Sequence, residues 1–174
     1  MNNLQRYKNL QSNGFGKNFE RMISLACKHY KDEGRAHVSK VDEPFRVIRL
    51  KKAGRFEGQF TANANPDFEG TLYGGRSICF EAKYTSTDRI KQSVVSPKQA
   101  EVLEYKNKLG GLAGVCVGIK ERFFFVPWDV WSNMKNIFGR KYAKADELEE
   151  YELVFRQGVR FLDFKKGGSV DGKW

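Results

Sequence analysis

The sequence has few of the residues on which several functional classes depend. Among 174 residues it has only three cysteines and two histidines. The thiols of Cys27, Cys79 and Cys116 are scattered and odd in number, which predicts buried free thiols and no disulfide framework. Cys27 and His29 lack a second pair of ligands, so we expect no zinc site.

Long apolar segments and nucleotide-binding loops are also missing. The longest run of apolar residues and glycine, 110–119, is far shorter than the roughly 20 residues of a membrane span. Residues 1–13 lack the apolar region of a signal peptide. No GxxxxGK[ST], GxGxxG or GxSxG motif occurs, so nucleotide hydrolysis, dinucleotide chemistry and elbow-type esterase chemistry have no support. We expect a cytoplasmic protein without a membrane partner.

Positive charge is what the sequence has in excess. Lysine and arginine number 31 against 21 acids, a net charge of +10, which predicts a polyanionic partner. Hydrophobic residues make up 40% of the chain, so it should fold, and its length suits one domain, 1–174.

The densest basic group lies in a predicted two-stranded excursion at about 44–65. Its cations are Arg46, Arg49, Lys51, Lys52 and Arg55, and Lys17 and Arg21 form a second, sparser cluster. Such cations provide sequence-independent affinity for phosphates. The alternative is a solvated edge hairpin whose charges block aggregation.

The order of predicted elements indicates an α/β or α+β fold with one mixed sheet. The elements are a helix at 14–33, a strand at 36–41, the excursion, a hairpin of 66–73 and 76–85, a helix from Ser96 to about Leu109, strands at 112–119 and 122–126, a helix from Pro127, and an apolar run at 159–164.

Two acids and a lysine form the sharpest chemical signal. Asp67 sits at a bend, and Glu81 and Lys83 share one face of the following strand. Two carboxylates brought together suit a hard divalent cation, and a nearby lysine can orient water or neutralise phosphate charge. Glu20, on the first helix, is a third carboxylate within potential reach. The alternative is a turn aspartate and a solvated Glu–Lys pair.

Three motifs in order resemble the RecU family of Holliday junction resolvases, within the PD-(D/E)xK nuclease superfamily. They are the helix start 13–20, the hairpin start 66–70, and the Phe-Glu-Ala-Lys element 80–83. The resemblance covers roughly residues 13–130. It implies a restriction-endonuclease-like α/β core, with a central mixed β-sheet flanked by helices and a projecting basic β stalk at about 44–65.

The resemblance also implies roles for single residues. Asp67 and Glu81 would bind Mg²⁺ or Mn²⁺, with Glu20 completing the site, and Lys83 would act on the attacking water. Gln99 would support them from the second helix. A homodimer is implied, because symmetric nicking of a four-way junction needs two active sites.

Two features depart from the family pattern. Tyr84 follows Lys83 where a more polar residue is expected, and the segment at about 140–174 has no match. They leave open the substrate preference and any contact with a recombinase. The compact size and the divergent C-terminal segment suggest a phage origin. The expected function is a metal-dependent DNA endonuclease that resolves four-way junctions in recombination and repair. Its alternatives are a related nuclease with another DNA target, or a non-catalytic nucleic-acid-binding module.

Overall fold

The computed structural model describes residues 3–42, 45–60 and 65–167. The helices are α1 (Asn3–Asp32), α2 (Pro97–Lys108), α3 (Trp128–Ser132) and α4 (Met134–Phe138), with 3₁₀ turns at Gln92–Val94 and Ala145–Tyr151. The strands are β1 (Ala36–Lys40), β2 (Phe45–Leu50), β3 (Phe56–Phe60), β4 (Phe68–Leu72), β5 (Ser77–Thr85), β6 (Arg89–Lys91), β7 (Leu112–Ile119), β8 (Arg122–Pro127), β9 (Tyr142–Lys144), β10 (Leu153–Phe155) and β11 (Val159–Phe164). No helix in these ranges has the length and apolar character to cross a membrane.

A five-stranded sheet with the order β1-β4-β5-β7-β8 forms the centre of the domain. Its neighbours are antiparallel except β5 and β7, which are parallel. The expected α/β fold with a mixed central sheet flanked by helices is therefore confirmed. Every residue of β7 is buried, as expected for a parallel strand covered on both faces.

The core consists of two apolar clusters, one on each face of the sheet. Helix α1 buries Phe19, Ile23 and Tyr30 in the cluster that also holds Phe80 of β5. Helix α2 buries Leu103 in the opposite cluster, together with side chains of β7, β8 and α3. Neighbouring residues of β7 alternate between the clusters because successive side chains of a strand point to opposite faces.

Local sequence explains most element boundaries. Ser96 and Gln99 form the predicted capping box at the start of α2, with Pro97 in its first turn. Gly74 and Gly75 have φ angles of 85° and 90°, a conformation that favours glycine, in the turn from β4 to β5. The helix predicted from Pro127 is instead two short helices, because the helical conformation is interrupted at Asn133, between α3 and α4. Helix α1 begins earlier than predicted.

The basic excursion is a separate two-stranded hairpin. Strands β2 and β3 pair with each other in their own sheet. Leu50 is 81% exposed and Ile48 is 63% exposed, so the hairpin projects from the core. The rest of the predicted stalk, at 43–44 and 61–64, lies outside the described residues.

The segment after residue 140 packs on the same domain. Phe161 of β11 is fully buried against the ring of Tyr30, with a centroid separation of 4.9 Å. Residues 168–174 lie outside the described ranges. The three cysteines are free and buried, as predicted.

Candidate active site

Asp67, Glu81 and Lys83 lie on two neighbouring strands. Asp67 directly precedes β4, and Phe68 pairs with Phe80 of β5. This register places Asp67 beside Glu81. The backbone N–H of Asp67 donates to Oε2 of Glu81 at 3.2 Å, and the backbone N–H of Ala82 donates to Oδ2 of Asp67 at 2.9 Å. Each strand therefore holds the carboxylate of the other.

The carboxylate of Glu81 is the centre of the cluster. It is completely buried, and its Oε1 accepts a hydrogen bond from Nζ of Lys83 and another, 2.8 Å long, from Nε2 of Gln99. Gln99 also accepts from the backbone N–H of Ser96 at 3.0 Å through its Oε1. Gln99 of the capping box thus fixes the first turn of α2 to the site.

Burial and mutual repulsion disfavour the charged forms of the two acids. Burial is the main cause that raises the pKa of Glu81 to about 7, and the charge of Asp67 adds to it. Burial likewise raises the pKa of Asp67. The charge of Lys83 opposes both shifts. A divalent cation between the carboxylates would remove this repulsion.

Glu20 lies beside this cluster, but its carboxylate forms an ion pair with a residue outside the cluster. Its Oε2 pairs with Nζ of Lys40, the last residue of β1, at 2.6 Å. Its charge nevertheless raises the pKa of Asp67, so the two acids are close enough to interact. Within the described ranges no group of three histidine, cysteine or acidic residues is arranged to hold a metal. The structure therefore brings Asp67 and Glu81 together and leaves Glu20 at their side.

The residues present fit a hard divalent cation. Mg²⁺ is commonly bound through one or two carboxylates and keeps several of its waters, so two adjacent acids are a sufficient protein contribution. Backbone N–H groups and Gln99 orient these acids, as outer partners do at metal sites. Asp67 and Glu81 are the residues that would hold the ion.

The predicted DNA-binding cations are on the surface. Arg49, Lys51, Lys52 and Arg55 on the hairpin are exposed, as are Lys17 and Arg21 on α1. Lys51 is paired with Glu57 at 2.9 Å, so part of its charge is already compensated. The side chain of Arg46 lies outside the described part of the chain.

Two residues near the site have roles that the sequence did not indicate. Lys40 binds Glu20 across the fold, and its position at the end of a short strand gives no local signal of this pairing. Tyr84, the departure from the family pattern, stacks on Phe15 with centroids 5.6 Å apart and lies 6.1 Å from Phe19. The aromatic ring therefore anchors α1 next to Lys83.

Comparison with known proteins finds a matching family model, relatives in sequence and a partly similar solved structure. The family model described as Recombination protein U, RecU, matches residues 15–167. The Holliday junction resolvase RecU of Streptococcus pneumoniae strain CGSP14 is 25% identical over 98% of this chain and 91% of that protein. RecU of S. pneumoniae serotype 19F strain G54 is 24% identical with the same coverage. The solved structure of Hjc, a Holliday junction resolvase of Archaeoglobus fulgidus, is 17% identical with a TM-score of 0.40, over 66% of this chain and 74% of that one.

Proposed function

This chain belongs to the RecU family, and from that premise we propose that it is a metal-dependent endonuclease that resolves four-way DNA junctions. The observation that carries the chemistry is the buried cluster of Asp67, Glu81, Lys83 and Gln99. Curated relatives that align over most of their length are named Holliday junction resolvases, which supports the substrate.

The protein groups divide the chemical work. Asp67 and Glu81 would hold Mg²⁺ or Mn²⁺, which supplies charge neutralisation and an activated water when bound. Lys83, now hydrogen-bonded to Glu81, would orient the attacking water and stabilise charge that develops on the phosphate. Gln99 would keep Glu81 aligned, and Glu20 would add negative charge at the edge of the site. The products would be a 5′-phosphate and a 3′-hydroxyl.

Binding of branched DNA would use the projecting hairpin. Its exposed cations, Arg49, Lys52 and Arg55, would contact phosphates, while its exposed apolar residues such as Leu50 would reach the centre of a junction. Paired symmetric cuts need two active sites, so the active form would be a homodimer. A recombinase is a further candidate partner, but no residue described here supports that contact.

A cleavage assay on matched substrates tests this function. We expect the protein with Mg²⁺ or Mn²⁺ to cut a four-way junction much faster than linear duplex of the same sequence. Asp67→Asn and Glu81→Gln should abolish cutting, whereas Glu121→Gln, an exposed acid in the turn between β7 and β8, should not.

The alternatives give different results in the same assay. Equal rates on junction and duplex would indicate a nuclease with another target. No cleavage by the unaltered protein, together with unchanged metal binding in both site variants, would indicate a non-catalytic module that binds nucleic acid.

A further inference from the structure

Phe15 of α1 exposes an aromatic ring at the edge of the candidate active site. Its side chain is 48% exposed, and its ring stacks on Tyr84 with centroids 5.6 Å apart and an angle of 24° between the ring planes. Tyr84 directly follows Lys83 in β5, and both residues line one groove of about 560 Å³. Phe15 also precedes Glu20 by five residues on the same helix, a rise of about 7.5 Å. The ring therefore lies close to the acids and the lysine of the site.

The ring of Phe15 is supported by a row of aromatic side chains that leads into the core. Tyr84 lies 6.1 Å from Phe19, and Phe19 stacks on Phe123 at 5.7 Å with an angle of 12° between the ring planes. Phe19 is 1% exposed, whereas Phe15 lies at the surface. Part of the Phe15 ring is therefore fixed against Tyr84, and the exposed part can stack on another flat group at little cost in side-chain entropy.

The groove beside this ring is on the path of the proposed substrate. A phosphodiester at the candidate site would lie against Lys83, and Tyr84 shares the groove with that lysine. The next nucleotides of the strand then lie within reach of Phe15, since each adds a rise of only about 3.4 Å. A ring in this position meets bases close to the cleaved bond.

We propose that Phe15 stacks on the open face of a base at the branch point of the junction and so favours junctions over continuous duplex. Each base inside a continuous duplex stacks on a neighbour on both sides, whereas arms that meet at a branch point present terminal bases with one face uncovered. Such a base binds an aromatic ring without first being unstacked, and this stacking accepts every base. The inference rests on the proposed function, since it explains how the same DNA substrate is selected.

A second copy of this chain is the alternative occupant of the exposed ring. A copy seated on Phe15 would also cover Tyr84 and with it the groove that Lys83 lines. The candidate site would then be closed to its substrate. The position of the ring beside the site therefore favours DNA.

Binding of junctions in EDTA, where no metal supports cleavage, tests the inference. The fluorescein-labelled probes are a four-way junction, linear duplex of the same sequence, and a junction with abasic residues in place of the bases at the branch point. Phe15→Leu removes the ring but keeps an apolar side chain, and Phe15→Trp keeps an aromatic ring. Leu25→Ala, which alters a 47% exposed apolar side chain of the same helix, is the matched control. Anisotropy measures the dissociation constants, and melting curves and gel filtration establish that each variant is folded and keeps its oligomeric state.

We expect Phe15→Leu to bind the intact junction about tenfold more weakly and duplex as before, while Phe15→Trp and Leu25→Ala bind both normally. On the abasic junction the unaltered protein and Phe15→Leu should bind equally, because the base that the ring contacts is gone. Normal junction affinity in folded Phe15→Leu, an equal loss on duplex, or a loss that persists on the abasic junction would overturn the proposal. A change of oligomeric state in Phe15→Leu would also overturn it, since the ring would then belong to an interface between copies.

Failure of the proposed function gives a different result from failure of this inference. Asp67→Asn should keep the junction affinity while it loses cleavage. Junction binding through Phe15 without any cleavage by the unaltered protein in Mg²⁺ or Mn²⁺ would contradict the proposed function alone. Junction cleavage by the unaltered protein, together with unchanged junction affinity in Phe15→Leu, would contradict this inference alone.

Discussion

Gln99 joins the carboxylate of Glu81 to the cap of helix α2. Its Nε2 donates to Glu81 at 2.8 Å, while its Oε1 accepts from the backbone N–H of Ser96 at 3.0 Å. One side chain therefore both starts a helix and orients a buried acid. The two tasks can be separated by substitution, because glutamate preserves a capping box but cannot donate to Glu81.

Gln99→Glu should weaken metal binding and cleavage without unfolding the helix. Without the donor, Glu81 is no longer held in place and is repelled by the new carboxylate, so the misaligned site should need about 10- to 100-fold more Mg²⁺ for half-maximal cleavage. Cleavage at a series of Mg²⁺ concentrations and circular dichroism measure the two effects. A Gln99→Glu protein that cleaves like the unaltered protein would contradict the positioning role.

The metal-free protein should lose stability as the pH rises from about 4.5 to about 7. The folded-state pKa of Glu81 is raised from 4.5 to about 7, so its protonated form stabilises the fold at low pH and that stabilisation disappears as the carboxyl ionises. The full effect is about 3 kcal/mol at most. Urea unfolding in EDTA across this range measures it.

The reference for that pH series is the Glu81→Gln variant. Its glutamine cannot ionise, so its free energy of unfolding should differ much less between pH 5 and pH 8. Glu121→Gln, in an exposed turn, should behave like the unaltered protein. Added Mg²⁺ should restore stability at pH 8 in the unaltered protein, because a ligand that binds only the folded state stabilises it. An identical pH dependence in Glu81→Gln would contradict the assignment.

Gly70→Ala should severely destabilise the domain. A Cβ at position 70 would lie 2.1 Å from the backbone oxygen of His37, so β1 and β4 would have to separate. We expect a cost of about 3 kcal/mol or more, or failure to fold. Gly16→Ala is the matched control, since nothing lies within 4 Å of its Cβ in α1 and alanine favours a helix interior by up to about 1 kcal/mol. Equal melting temperatures for the two variants would contradict this account.

The hairpin cations should determine the salt dependence of DNA binding. Each lost phosphate contact should reduce the slope of log K against log salt concentration by about 0.9 on duplex DNA. We expect this reduction for Arg49→Ala and Arg55→Ala, and a smaller one for Lys51→Ala because Glu57 already pairs with Lys51. Lys135→Ala, exposed on α4, is the control. If the hairpin variants kept the salt-dependence slope of the unaltered protein, the hairpin would not be a DNA-binding surface.

Local sequence signals were sufficient for most of the fold. The capping box of α2, the Gly74–Gly75 turn and the two-residue spacing of Glu81 and Lys83 each act over a few residues, so they are visible without the tertiary structure. Asp67 and Glu81 could be paired because a hairpin connects them directly. The interruption at Asn133 was not predicted, because the apolar spacing of α3 continues into α4.

Contacts between distant segments could not be predicted from the sequence. The Lys40–Glu20 pair joins the end of β1 to α1, and Tyr30 contacts Asp163 at 3.1 Å across nearly the whole chain. Neither pair has a spacing that distinguishes it from other exposed charges or helical aromatics. A cavity lined by residues of α2, α3 and β9 likewise forms only when these three separate segments pack together.

The reciprocal hydrogen bonds between Asp67 and the strand of Glu81 form only when β4 and β5 pair in the correct register, so they couple the stability of the hairpin to the assembly of the site. A slip of one residue between β4 and β5 would turn Glu81 and Lys83 to the opposite face and remove the partner of each carboxylate. Wrongly paired chains would bury an unsatisfied acid and lose much of their stability. Cells would then degrade such chains before a folded but chemically defective nuclease could accumulate on DNA.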